Sequence, residues 1–102
     1  VIGGRARITE SMRLDKFLKV ARLAKRRSEA HEALEHGRIL RSGKALKPGH
    51  RVVAGDTLEI HYVNRVVTVR VLDVPLRVTP SVVPASLYEI LDTRREQPDE
   101  WI

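Results

Sequence analysis

The 102-residue sequence contains no cysteine, which excludes disulfides, thiolate chemistry and cysteine-based zinc sites together. That suits a reducing cytosol. Aromatic residues are almost as scarce: only Phe17, Tyr62, Tyr88 and Trp101. Single-strand binders need aromatic platforms, and Phe17 and Tyr62 belong to apolar faces expected in the core, so base stacking on aromatics is disfavoured. No apolar run approaches the ~18 residues of a membrane span, and no signal-peptide core is present. The chain therefore reads as a soluble, cytoplasmic single domain with no membrane partner. Repeats and low-complexity tracts are missing too.

Catalytic patterns are equally thin. Gly3-Gly4 lacks the flanking strand and helix of a phosphate-binding loop. His31 and His36 are five apart on one expected helix and do not share a face, while His50 and His61 are isolated, so neither metal nor cofactor is expected. No serine carries a recognisable base and orienting group. Asp15, Asp56 and Asp73 sit at a helix start or near turns, where aspartate is structurally common. The chain reads as a binding protein, not an enzyme.

What the sequence does have is positive charge, and it is unevenly placed. Residues 1–51 hold 14 Lys and Arg against 5 Asp and Glu, a net +9, whereas residues 52–102 hold 5 against 8, a net −3. Such asymmetry points to a polyanion, with nucleic acid ahead of anionic membrane. Arginine outnumbers lysine 14 to 5, and its planar fork matches phosphate oxygens bidentately.

Residues 1–11 show no periodicity and read as a flexible lead-in. Leu14, Phe17, Leu18 and Ala21 then fall at i, i+3, i+4 and i+7, one buried helix face. Asp15 lies in the first turn, where a carboxylate suits the helix dipole. Lys16, Lys19 and Arg22 lie off the apolar stripe. Lys25-Arg26-Arg27 follow, and Ser28 is the expected N-cap of a second helix with Ala30, Ala33 and Leu34 inward and Gly37 at its end. From Arg38 the period changes. Ser42-Gly43 marks a tight hairpin, and Thr57–Val63 and Val66–Leu72 alternate as strands joined by a turn at Asn64-Arg65. Leu87, Ile90 and Leu91 are spaced for one or two helical turns, and residues 94–102 read as a mobile acidic tail. The expected fold is α+β: two short helices packed on a small, mostly antiparallel sheet over residues 12–74, with a C-terminal extension over 75–102.

Arg13, Lys16, Lys19, Arg22, Lys25, Arg26 and Arg27 thus share one helix and the loop after it. This cationic ridge on a firm support suits backbone recognition of folded RNA, because cations already held in place lose less entropy on contact. Oriented N–H groups at the start of the second helix add to it. Lys44 and Lys47, flanking the hairpin tip, with Arg38 and Arg41 close by, form a candidate second arm.

The run Met12-Arg13-Leu14-Asp15-Lys16-Phe17-Leu18-Lys19-Val20-Ala21-Arg22-Leu23 with Lys25-Arg26-Arg27, followed by Gly37-Arg38-Ile39, Gly43-Lys44 and Gly55-Asp56, resembles the alpha-L RNA-binding domain of small-subunit ribosomal protein S-four over about residues 12 to 72. More narrowly it is similar to the stand-alone RqcP group, related to the heat-shock ribosome-associated proteins. Tyr88-Glu89-Ile90-Leu91 resembles that group's short C-terminal element. Ser42-Gly43 stands where Asn-Gly is usual, and Val53-Ala54 precedes Gly55-Asp56 where Lys-Pro is common. No obvious self-association surface appears, so a monomer is expected. The resemblance implies a ribosome-associated protein that binds large-subunit rRNA and P-site tRNA on stalled large subunits. There an RqcH-like partner directs alanine tailing. It assigns RNA contact to Arg13, Lys16, Arg26 and Arg27, and a positioning role to Asp15. A heat-shock-type recycler of blocked subunits, an assembly factor, a fragment of an RNA-modifying enzyme and a basic protein-interaction module are the alternative readings.

Overall fold

The helical spacing of Leu14, Phe17, Leu18 and Ala21 does in three dimensions what it implies: in the computed structural model all four are buried. The structure describes residues 11–95; the lead-in before Ser11 and the tail after Arg95 lie outside them. Strand β1 (Ser11–Arg13) runs into helix α1 (Leu14–Val20), and helix α2 (Arg27–Glu35) follows after a short loop. Strands β2 (Ile39–Arg41), β3 (Lys44–Ala45), β4 (Arg51–Val53), β5 (Thr57–His61) and β6 (Arg65–Val71) come next. A 3₁₀ turn over Pro84–Leu87 leads into β7 (Tyr88–Arg95).

Every strand pairing is antiparallel. β1 pairs with β4 in a separate two-stranded sheet, and the main sheet runs β3-β2-β5-β6-β7. Alternation explains which face is inward: Leu58 and Ile60 on β5 and Val67, Val69 and Val71 on β6 are buried and meet Phe17, Leu18 and Leu34 of the helices in one core. The α+β reading with two helices on an antiparallel sheet therefore holds.

Both helices end in the same way. Gly37, at φ 72°, follows the C-cap His36, and N–H groups of Gly37 and Arg38 donate to the carbonyls of Leu34 and Ala33. That is a Schellman ending with the expected glycine. At the end of α1, Arg22 and Leu23 donate to Lys19 and Leu18 in the same pattern, but the left-handed position is filled by Arg22 itself, at φ 62°.

Four expectations need correction. Ser28 does not cap α2: Arg26 is the extended N-cap, its carbonyl takes the first helical bond from Ala30, and Ser28 lies within the first turn. The β5–β6 turn is Val63-Asn64, not Asn64-Arg65, because the Tyr62 N–H donates to the Arg65 carbonyl at 2.8 Å and Arg65 enters the strand. That shift spares Arg65 the positive φ that the other turn demanded. Ile90 and Leu91 lie in strand, since β7 pairs along the free edge of β6 from Val71↔Tyr88 to Arg65↔Arg95. A register shift between Thr68 and Val69 leaves Leu91 as the extra residue of a bulge. Finally, Ser11–Arg13 are a paired strand, where no element was expected.

Candidate nucleic-acid interface

The buried carboxylate of Asp15 organises the site. Its side chain is only 3% exposed, yet it lies at the start of α1 between two arginines that are half exposed. Arg13 donates to it through Nε at 3.3 Å and Nη2 at 3.1 Å, and Arg27 donates through Nη2 at 3.4 Å. Burial alone would push the Asp15 carboxyl up. The hydrogen bond from Arg13, the charges of Arg27 and Arg13 and the Lys16 N–H outweigh it and hold Asp15 below the usual carboxylate range. The same bond raises the Arg13 guanidinium further above its ordinary value. One carboxylate thus fixes a cation from β1 beside a cation from α2, although Arg27 lies twelve residues beyond Asp15 in the chain.

Around this pair the other ridge residues fall into place. Lys16, Lys19, Arg22, Lys25 and Arg26 are exposed, and among the described residues none of them forms an ion pair. Glu29 and Glu32 on α2 form no ion pair with them among the described residues. The first turn of α2 carries no side-chain cap, so its N–H groups beside Arg26 and Arg27 stay open to an anion.

The second arm is only partly joined to this cluster. The loop holding Lys47 abuts the start of α1, where Leu14 N–H donates to His50 at 2.8 Å and Asp15 N–H to Pro48 at 3.4 Å. Arg38 and Lys44 are exposed, and among the described residues no side-chain hydrogen bond or ion pair links either to the ridge. The β2–β3 turn itself is as expected, with Ser42 at φ 52° and Gly43 at φ 82°. Serine takes the left-handed conformation less readily than the asparagine usual there.

Two cations escaped the sequence reading. Arg51 lies directly across from Arg13 in the β1–β4 pair, on the same face, and is tied to Ser11 through its guanidinium. Arg65 stacks over the Tyr62 ring at 4.7 Å. Tyr62 in turn donates its hydroxyl to the Leu23 carbonyl at 2.7 Å, fastening the loop after α1 to the sheet. Burial pushes that hydroxyl's pKa up. Neither arginine could be singled out from spacing, because each depends on a pairing made by the fold.

Arg22 occupies a conformation that costs an L-residue about 1 kcal/mol relative to glycine. Replacing it with glycine is expected to stabilise the domain by about 0.5–1 kcal/mol while weakening RNA binding. Thermal unfolding and RNA titration on Arg22→Gly should move in opposite directions; parallel losses would mean that Arg22 is structural.

The S4 domain family model matches residues 12–58, from β1 to the start of β5. Over 87 residues the chain is 44% identical to an RQC P-site tRNA stabilizing factor of Halalkalibacterium halodurans, covering 85% of this chain and 94% of that one. The chain belongs to the RQC P-site tRNA stabilizing factor family. Another family member, from Bacillus subtilis, is 42% identical over 80 residues, 78% of this chain and 92% of its own. Among solved structures, trimeric heat shock protein 15 of Vibrio cholerae superposes with a TM-score of 0.69 at 27% identity, covering 79% of this chain and 82% of that one. The resemblance read from the Met12–Leu23 run and Lys25-Arg26-Arg27 is thereby borne out. The family's helix pair and first strands are the part that carries the cationic ridge.

Proposed function

We propose that this protein binds P-site tRNA and large-subunit rRNA on stalled large ribosomal subunits, supporting the RqcH-directed alanine tailing of the stalled peptide. It works by placement and carries out no bond chemistry of its own. The observation that carries this reading is the Arg13–Asp15–Arg27 cluster. It presents two oriented guanidinium groups at the centre of a ridge of exposed cations, unpaired among the described residues, the arrangement that backbone contacts to folded RNA require. Membership of a family whose characterised members are named as stabilizing P-site tRNA supplies the ligand class. A cytoplasmic, ribosome-bound location follows from that role.

The test is ultraviolet crosslinking in the native cells, with sequencing of the attached RNA. Joint recovery of large-subunit rRNA and tRNA is the expected result, with crosslinked peptides spanning Arg13 to Arg27. The likeness to heat shock protein 15 favours a second reading, recycling of blocked large subunits. Large-subunit rRNA recovered without tRNA would select it, and crosslinks to neither would remove the ribosomal assignment.

A further inference from the structure

Beside the ridge lies an open groove of about 510 Å³ between the loop after α1, the α2 face and the end of β5. Its walls are Leu23, Ala33 and Ile60, and its rim carries Arg22, Lys25 and Arg65. We propose that this groove receives one unstacked nucleotide of the bound RNA, its base against the apolar wall and its phosphate on Arg22 and Lys25. The proposal rests on the RNA-binding reading above and assigns to that surface a contact with a base where the ridge itself touches only backbone.

Three observations favour a nucleotide as occupant. Arg22 and Lys25 belong both to the ridge and to the groove rim, so a backbone tracked along the ridge is delivered to the groove's edge. Three cations against one carboxylate, Glu29, give the rim the charge that a phosphate complements. The Arg65 guanidinium carbon sits over the Tyr62 ring, 4.7 Å from its centroid, which covers the aromatic ring and keeps the guanidinium at the groove. A guanidinium plane is a stacking surface for an extruded base, and RNA is read by protein mainly through such unstacked bases. The scarcity of aromatics therefore does not exclude a base contact here. The groove's size falls in the range that holds a small organic group.

The experiment uses the full chain and three fluorescent RNA hairpins, alike except for a single-nucleotide bulge, an abasic bulge or no bulge. Binding is titrated at one salt concentration. The base-bearing bulge is expected to bind about tenfold more tightly than the abasic one. Ala33→Phe, which fills the groove, and Arg65→Met, which removes the stacking plane at the mouth, are each expected to bring the two within about twofold. Arg65→Met is a surface change that keeps the stem's bulk, so it carries the test if Ala33→Phe does not fold. Equal, tight binding of the bulged and abasic hairpins by the unaltered protein would overturn the groove proposal and leave the ridge reading intact. Failure to bind any of the three would overturn both.

Discussion

Asp15→Asn is expected to weaken RNA binding on the order of tenfold, even though it raises the net charge from +6 by one unit. Simple electrostatics gives the opposite sign, since removing an anion from a phosphate-binding face should tighten it. The geometry decides. Asp15 is buried and holds both Arg13 and Arg27, so losing its charge frees two guanidinium groups that must then be ordered by the RNA itself. The stability cost should be about 1–2 kcal/mol. The larger penalty of a stranded buried charge does not apply, because both arginines reach solvent. The pH dependence follows the same carboxylate. Its folded pKa lies below the ordinary Asp value of about 3.9, so the stability it contributes is fully present above that value and fades as pH falls through the lower, folded one. The gap in stability between the native protein and Asp15→Asn should accordingly close in acid. Tighter RNA binding by the variant, or a gap that persists at low pH, would remove Asp15 from its positioning role.

Arg26→Ala combined with Arg27→Ala should reduce the slope of log affinity against log salt by about 2 units, as two lost phosphate contacts release fewer counterions. The single variants separate two effects that the double change merges. Arg26 makes no ion pair among the described residues, so Arg26→Ala should lower the slope by about 1 unit and leave the unfolding midpoint in place. Arg27 also donates to Asp15 at 3.4 Å, so Arg27→Ala should lower both. Salt titrations from low to moderate ionic strength, with thermal melts of the same samples, read both quantities. An unchanged slope in a folded double variant would take these residues out of the interface.

Local signals in the sequence translated well into structure. The face of α1 was legible because Leu14, Phe17, Leu18 and Ala21 repeat at the period of a single turn, and Gly37 because a left-handed residue is needed there. β5 and β6 were legible because alternation in Thr57–His61 and Arg65–Val71 separates a buried from an open face. The ridge was legible as a charge run. What made it a site was not, because Asp15 reads as an ordinary first-turn acid until the fold brings Arg27 beside it. β7 misled for a definite reason: Leu87, Ile90 and Leu91 have helical spacing, and only the unpaired edge of β6 makes a strand the better choice. Arg51 matters through its place opposite Arg13, in strands of three residues that are too short to show a period.

The pairing of Ser11 with Val53 has a kinetic corollary. It closes the chain from 11 to 53 on itself, with both helices inside the ring, and the Leu14 and Asp15 amides are engaged by the loop just before β4. The start of α1 cannot fray without breaking those bonds, so β1, α1 and β4 should exchange their amide hydrogens as one cooperative block. Cations mounted on such a block cannot be peeled from a ligand by progressive melting of their support. They detach while the block stays whole, and the lifetime of the complex is then governed by the whole set of contacts rather than by the weakest of them.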